Sequence, residues 1–179
     1  PYDPDKARAL LRDAGFPAGF KTQYIKGKSS RLSEDVIYVL SCLAEVGVEI
    51  EIQEVADEEF RRRQRGEGRS TLWYSGWYAD YPDPDNFFYS IFHTKNQHTL
   101  GLHYSNPRVD VLMEEARRES DLNVRERLYT KAEDIVIEDA PLIFLLHQRA
   151  YVATQSYIGG IRLNLTPPAL RPEDLWIER

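Results

Sequence analysis

Apolar and polar positions alternate along this chain with two periods, one helical and one of strand type. Ala7, Leu10, Leu11 and Ala14 fall on one helical face, with Asp3 as the expected cap, Pro4 in the first turn and Gly15 as the stop. Leu32, Val36, Val39, Leu40, Leu43 and Val46 repeat the helical spacing, and Gly47 ends it. Between these helices, Lys21 to Lys26 predicts a short strand around Tyr24 and Ile25. After Gly47, the residues Val48, Ile50 and Ile52 alternate with Glu49, Glu51 and Gln53, the period of a strand with one wet face. Asp57 is expected to cap a short helix. Its acids, Glu58 and Glu59, precede its bases, Arg61, Arg62, Arg63 and Arg65, the order a helix dipole favours.

A third strand-type run, Thr71 to Trp77, is expected to deliver Asp80 at its exit. It breaks at Tyr81-Pro82-Asp83-Pro84, where two prolines fix φ and disfavour helix just before them. Asn86 to Phe92 then predicts a helix with Phe87, Phe88, Ile91 and Phe92 on its apolar side, and His93 to Tyr104 reads as a polar loop. Asn106 and Pro107 open another helix with Val109, Leu112, Met113 and Ala116 facing in. Asp121 to Asn123 breaks it, and a longer helix follows on Leu128, Tyr129, Ala132, Ile135 and Val136, ending at Ala140-Pro141. The unbroken apolar run Leu142 to Leu146 predicts a strand buried on both faces, which Tyr151 to Ala153 extends or follows. Gly159-Gly160 marks a turn. Alternating strands and helices predict α/β layering with a mixed sheet.

Composition narrows the function classes. A length of 179 residues suits one substantial domain. A net charge of -6 argues against a nucleic-acid partner, and the arginines at 61–65 read as a solvated helix end. The single Cys42 excludes an internal disulfide and reads as a small buried hydrophobe. No run of about 18 apolar residues occurs, and no basic-plus-apolar leader opens the chain. The chain starts without Met and enters a helix at once, so it reads as a piece of a longer protein.

Asp80 stands out chemically. Trp77, Tyr78 and Tyr81 surround it in sequence, and a carboxylate among rings suits an ammonium group through charge-assisted hydrogen bonds and cation–π attraction. The plainer reading is a loop Asp that caps a turn or helix. Arg65, just before the Gly66–Gly68 turn, is a weaker candidate for a ligand carboxylate. His93, His98 and His103 are spaced by five without a Cys or paired carboxylate beside them, so they read as flexible surface residues rather than metal ligands. No nucleophile elbow, phosphate loop, dinucleotide fingerprint or zinc-protease motif is present. A hydrolase using Asp80 with Asp83 or Asp85 is the enzymatic alternative, and a protein-binding domain with the aromatics as hot spots is a third. No catalytic residue, metal ligand or cofactor is assigned.

Four passages resemble one known family. Tyr2-Asp3-Pro4 through Leu11 with Ala14-Gly15, Trp77-Tyr78-Ala79-Asp80-Tyr81-Pro82-Asp83-Pro84, Tyr104-Ser105-Asn106-Pro107 through Asp110, and Arg125 through Tyr129 with Ala132-Glu133 and Asp139-Ala140-Pro141 are similar, in order and spacing, to the C-terminal part of the extracytoplasmic solute-binding proteins of ABC importers, in the peptide/nickel (family 5) group. The resemblance implies a class II periplasmic-binding-protein-like second lobe, with a mixed sheet flanked by helices, as an incomplete fragment. Residues 1–148 would belong to that lobe, and 149–179 would return to a missing first lobe. The resemblance also implies a non-enzymatic import component, periplasmic or membrane-anchored outside the cytoplasm. It would bind a small solute, expected to be a peptide, between two lobes and dock on a membrane permease. In peptide-binding members an Asp at the position of Asp80 anchors the ligand's α-ammonium, with Trp77 and Tyr78 flanking the ligand backbone. An isolated second lobe is expected to cover its open surface by forming a homodimer or by refolding its tail.

Overall fold

The computed structural model describes residues 2–66, 72–147, 149, 151–164, 166 and 170–178. The chain divides into two compact units, Pro1–Ser75 and Gly76–Arg179.

The first unit runs helix, strand, helix, strand, helix: α1 (Pro4–Asp13), β1 (Phe20–Gly27), α2 (Glu34–Glu45), β2 (Val48–Val55) and α3 (Asp57–Gln64). Asp3 caps α1 as expected, its carboxylate accepting from the Lys6 N–H at 2.9 Å. β1 and β2 pair in parallel from Phe20↔Val48 to Gly27↔Val55. A parallel pair needs a crossover, and α2 supplies it. The turns entering the two strands touch. A Cβ on Gly19 would lie 1.8 Å from the Gly47 carbonyl oxygen, and both residues have positive φ, so glycine is required at each. Tyr24, Ile25, Val36 and Val48 form the buried centre.

Two local expectations change here. Asp57 is not the cap of α3; Ala56 takes that place, and the Asp57 carboxylate instead accepts from the Ser29 N–H at 3.2 Å. The strand expected over Thr71–Trp77 reduces to one bridge. Leu72 pairs with β1 on its Tyr24 side through the Ile25 N–H (2.9 Å) and by donating to Gln23 O (3.1 Å). Thr71 lies outside the described residues, and 73–79 form no regular element. The aromatic run is therefore an irregular connection, of which Trp77 packs on the helical core.

The second unit is helical. α4 (Pro84–Phe92), a short 3-10 turn at Thr94–Asn96, α5 (Pro107–Arg118) and α6 (Leu122–Asp139) enclose Ile91, Phe92, Val109, Met113, Ala132 and Val136. Asn106 caps α5 through the Arg108 N–H at 3.0 Å, ahead of Pro107. Asp121 caps α6 through Asn123 and Val124, which moves the expected break two residues earlier, to 119–121. α6 ends at Ala140 with φ 47°. A small antiparallel pair, β3 (Ile158–Gly159) and β4 (Trp176–Ile177), closes the unit.

The apolar run Leu142–Leu146 forms no strand, and neither does Tyr151–Ala153. Ile143, Phe144 and Leu146 are more than half exposed. An apolar run becomes a buried strand only where a neighbouring strand and a covering layer exist. Here the Phe144 ring rests near Phe92 at 6.3 Å, and Leu142 packs on the core.

Candidate functional site

The site is built on the first turn of α4. Asp83 is extended (φ -141°, ψ 140°) and its Oδ1 accepts from the Asp85 N–H at 2.8 Å, while Pro84 fills the first-turn position that needs no N–H. Both Asp83 oxygens also meet Arg125 of α6, each at 2.7 Å from a terminal guanidinium nitrogen. Arg125 is braced in turn by donating from Nε to Ala116 O at 3.1 Å. The guanidinium holds the Asp83 carboxyl below the usual carboxylate range, and the carboxylate keeps Arg125 protonated more firmly still.

Asp85 is buried and fully engaged. The Tyr81 hydroxyl donates to Oδ2 at 2.7 Å; Arg117 Nε and the Tyr129 hydroxyl reach Oδ1 at 3.1 and 3.4 Å. Donation to Asp85 raises the Tyr81 hydroxyl's pKa, and burial raises that of Tyr129. The Arg117 guanidinium lies 3.9 Å from the Tyr89 ring centroid. These bonds engage the carboxylates of Asp83 and Asp85 in holding the turn against α5 and α6.

Asn86, 2% exposed, ties the preceding loop together. Its Oδ1 accepts from Trp77 Nε1 at 2.8 Å and from the Asp80 N–H at 3.2 Å, and its Nδ2 donates to Asp80 Oδ2 at 3.4 Å. An indole N–H only donates, so the carboxamide orientation follows from its partners. Ala79 is buried beneath this turn and Asp80 stands exposed on it. Among the described residues, no hydrogen bond reaches Asp80 Oδ1 and no cation pairs with the carboxylate. Tyr78 and Tyr81 expose their rings on either side in sequence, whereas Trp77 packs on the helical core.

The structure thus brings Trp77, Tyr78 and Asp80 onto one short segment. Arg65 belongs to the other unit. It is exposed at the C-terminal end of α3, donating its backbone N–H to Arg61 O at 3.3 Å. The glycine turn after it lies partly outside the described residues.

The histidines divide. His93 is not a surface residue: it is 2% exposed, stacks on Tyr89 at 4.3 Å, and accepts from the Lys95 N–H at 3.1 Å. His98 and His103 meet edge-on at 5.2 Å. No group of three metal-binding side chains occurs among the described residues. Asn86, Arg117 and the Asp83 bond of Arg125 escaped the sequence reading, since only folding brings the latter two to α4; Asn86 alone left a signal, as a polar residue opening an otherwise apolar helix.

Residues 1–99 match the family model of the bacterial extracellular solute-binding proteins, family 5, middle region. The chain belongs to family 5 of the bacterial extracellular solute-binding proteins. Family 5 relatives include the glutathione-binding protein GsiB of Pectobacterium atrosepticum, 32% identical over 89% of this chain and 33% of the relative. Heme-binding protein A of Haemophilus influenzae is 29% identical over 89% of this chain and 30% of its own length. Among solved structures, the periplasmic binding protein DppA of Helicobacter pylori, in complex with peptide STSA, superposes with a TM-score of 0.77 at 28% identity, covering 99% of this chain and 35% of that one. A Pseudoalteromonas dipeptide-binding protein in complex with Met-Leu gives 0.77 at 30% identity, with 98% and 36% covered. The chain spans about a third of the length of these family 5 relatives. Its fold is α/β, of the class II periplasmic-binding-protein type. Family 5 proteins are solute-binding proteins, not a family of enzymes.

Proposed function

We propose that this chain forms one wall of the solute cleft of an ABC importer's binding protein, working outside the cytoplasm, and that its guest is a peptide. The observation that carries this is the exposed Asp80 carboxylate. One of its oxygens is held by Asn86 and the other has no hydrogen bond among the described residues. A desolvated ammonium supplies the missing donors and charge. Solved relatives that superpose on the chain hold STSA and Met-Leu, guests with such an end. Tyr78 and Tyr81 supply ring faces for the guest's backbone and cation–π attraction for its charge. Arg65 is the weaker partner, suited to a guest carboxylate.

In this reading residues 1–148 belong to one lobe of a two-lobed protein and 149–179 return to the other lobe. Guest binding favours the closed arrangement by its differential affinity, and the closed form docks on a membrane permease. No cofactor enters.

The test is calorimetric titration of the longest native polypeptide carrying these residues, with dipeptides to pentapeptides and their Nα-acetylated forms. Asp80→Ala is expected to weaken binding of the free-amine peptides by about 2–5 kcal/mol and to leave the acetylated forms as weak as before. Equal binding of both forms, or unchanged affinity in the variant, would remove Asp80 from the site.

A further inference from the structure

The loop between the 3-10 turn and α5 carries His98 and His103, which the solute reading leaves unused. We propose that these two side chains form a binding site for one divalent transition ion of the zinc, nickel or copper class, independent of any role of Asp80.

The loop is built to bring the two rings together. Leu100 and Leu102 pack on the helical core and pin the segment from beneath. The backbone closes on itself: the His103 N–H donates to Gln97 O at 3.1 Å, and the Gly101 N–H donates to His98 O at 3.3 Å. His103 lies in the left-handed region, at φ 51°, which few residues besides glycine adopt. In that conformation its ring stands 5.2 Å from the ring of His98, centroid to centroid, with the planes at 81°. Disfavoured backbone of this kind persists only where the surroundings hold it, and it collects at ligand sites.

The separation suits ligation. An imidazole nitrogen binds zinc at about 2.0–2.1 Å, which puts the ring centre about 3.2 Å from the ion, and two such rings at the tetrahedral angle stand about 5.2 Å apart. Both side chains are exposed, and no hydrogen bond among the described residues engages their ring nitrogens. Neutral imidazoles suit zinc, nickel and copper, whereas magnesium and calcium take oxygen ligands. Two protein ligands leave the remaining positions to water. His93 does not join them: it is 2% exposed, and its Nδ1 already accepts from the Lys95 N–H. The five-residue spacing therefore supplies two ligands, not three.

The experiment titrates zinc chloride by calorimetry into the longest native polypeptide carrying this chain, with magnesium chloride as control. Zinc is expected to bind and magnesium is not. His98→Ala and His103→Asn are each expected to weaken zinc at least about tenfold, since even a partner one shell further out is worth that much. Asn tolerates left-handed backbone, so His103→Asn removes the ring and keeps the loop. His147→Ala and Cys42→Ser are expected to keep the wild-type affinity, which separates the pair from the remaining exposed histidine and from the thiol. One equivalent of copper(II) gives a spectroscopic reading: paramagnetic resonance should show two coupled ring nitrogens in wild type and one in either ring variant. The proposal is overturned by wild type that takes no zinc or couples one nitrogen only. It is equally overturned by affinity that survives either ring deletion, or that falls with His147 or Cys42.

Discussion

Arg125 grips both oxygens of Asp83 at 2.7 Å, joining α6 to the cap of α4 across 42 residues. Asp83 therefore serves two masters: it caps its own helix and accepts the guanidinium of another. The pair lies between a surface ion pair and a buried one, so Arg125→Met is expected to cost about 2–3 kcal/mol by urea denaturation at neutral pH. The loss would leave Asp83 without its charge partner while the cap bond remained.

The pH dependence of that cost has a definite sign. Arg125 lowers the Asp83 pKa in the folded state below its usual 3.8. A depressed carboxylate contributes stability that is fully present above the unfolded value and is lost as pH falls through the folded one. The gap between wild type and Arg125→Met is thus expected to be flat from about pH 5 to 8 and to shrink below about pH 4. A gap that widens on acidification would contradict the assignment.

Tyr104 and Asn106 both donate to Asp139 Oδ2, the latter at 2.7 Å, closing the start of α5 onto the end of α6. The Tyr104 bond is the larger cause of the lowered Asp139 pKa. Tyr104→Phe is expected to move that pKa back toward 3.8 without reaching it, because Asn106 still donates. Carbon NMR of the carboxyl groups across an acid titration reads this directly. An unmoved Asp139 resonance would place the hydroxyl elsewhere in solution.

Ala140 ends α6 in the left-handed region, at φ 47°, where an L side chain is strained. Ala140→Gly relieves the strain and adds some unfolded-state freedom, for a net gain of about 0.5–1 kcal/mol. Thermal denaturation should show a higher midpoint. A lower one would mean that Pro141 already fixes this conformation at no cost.

Met113 and Val111 are neighbours on α5 with opposite fates. Met113 is fully buried among α4 and α6 side chains, while Val111 faces solvent. Met113→Ala is expected to cost about 2–5 kcal/mol, whereas Val111→Ala should stay within about 0.5. Equal effects in urea would show that the face of α5 was misassigned.

The motif residues that carried the family resemblance turn out to be mostly joints. Asp83 with Arg125, Tyr129 with Asp85, and Tyr104 with Asn106 and Asp139 each connect passages far apart in the chain. Each passage looked separate in sequence because a side chain's partner across 35 or 42 residues leaves no local trace. Asp80 differs from Asp83 and Asp85 in standing exposed on its turn.

The helices were legible in the sequence, and so were the starts of α1 and α5, whereas α3 is capped one residue before Asp57 and α4 begins at Pro84 rather than Asn86. Asp3-Pro4, Asp83-Pro84 and Asn106-Pro107 each place a short acceptor before a residue with no N–H to satisfy, and a cap closes within three residues of itself. The alternation of Val48, Ile50 and Ile52 likewise sufficed for β2, whose partner β1 lies one crossover away. Tertiary structure decided the rest. Whether Leu142–Leu146 is a strand depends on a neighbour that no local pattern encodes, and here it has none among the described residues. Which oxygen of Asp80 is taken depends on Asn86, whose amide is aimed by an indole nine residues earlier. Hydrogen bonds of this kind are fixed by where packed elements bring polar atoms together, and that distance exists only once the chain has folded.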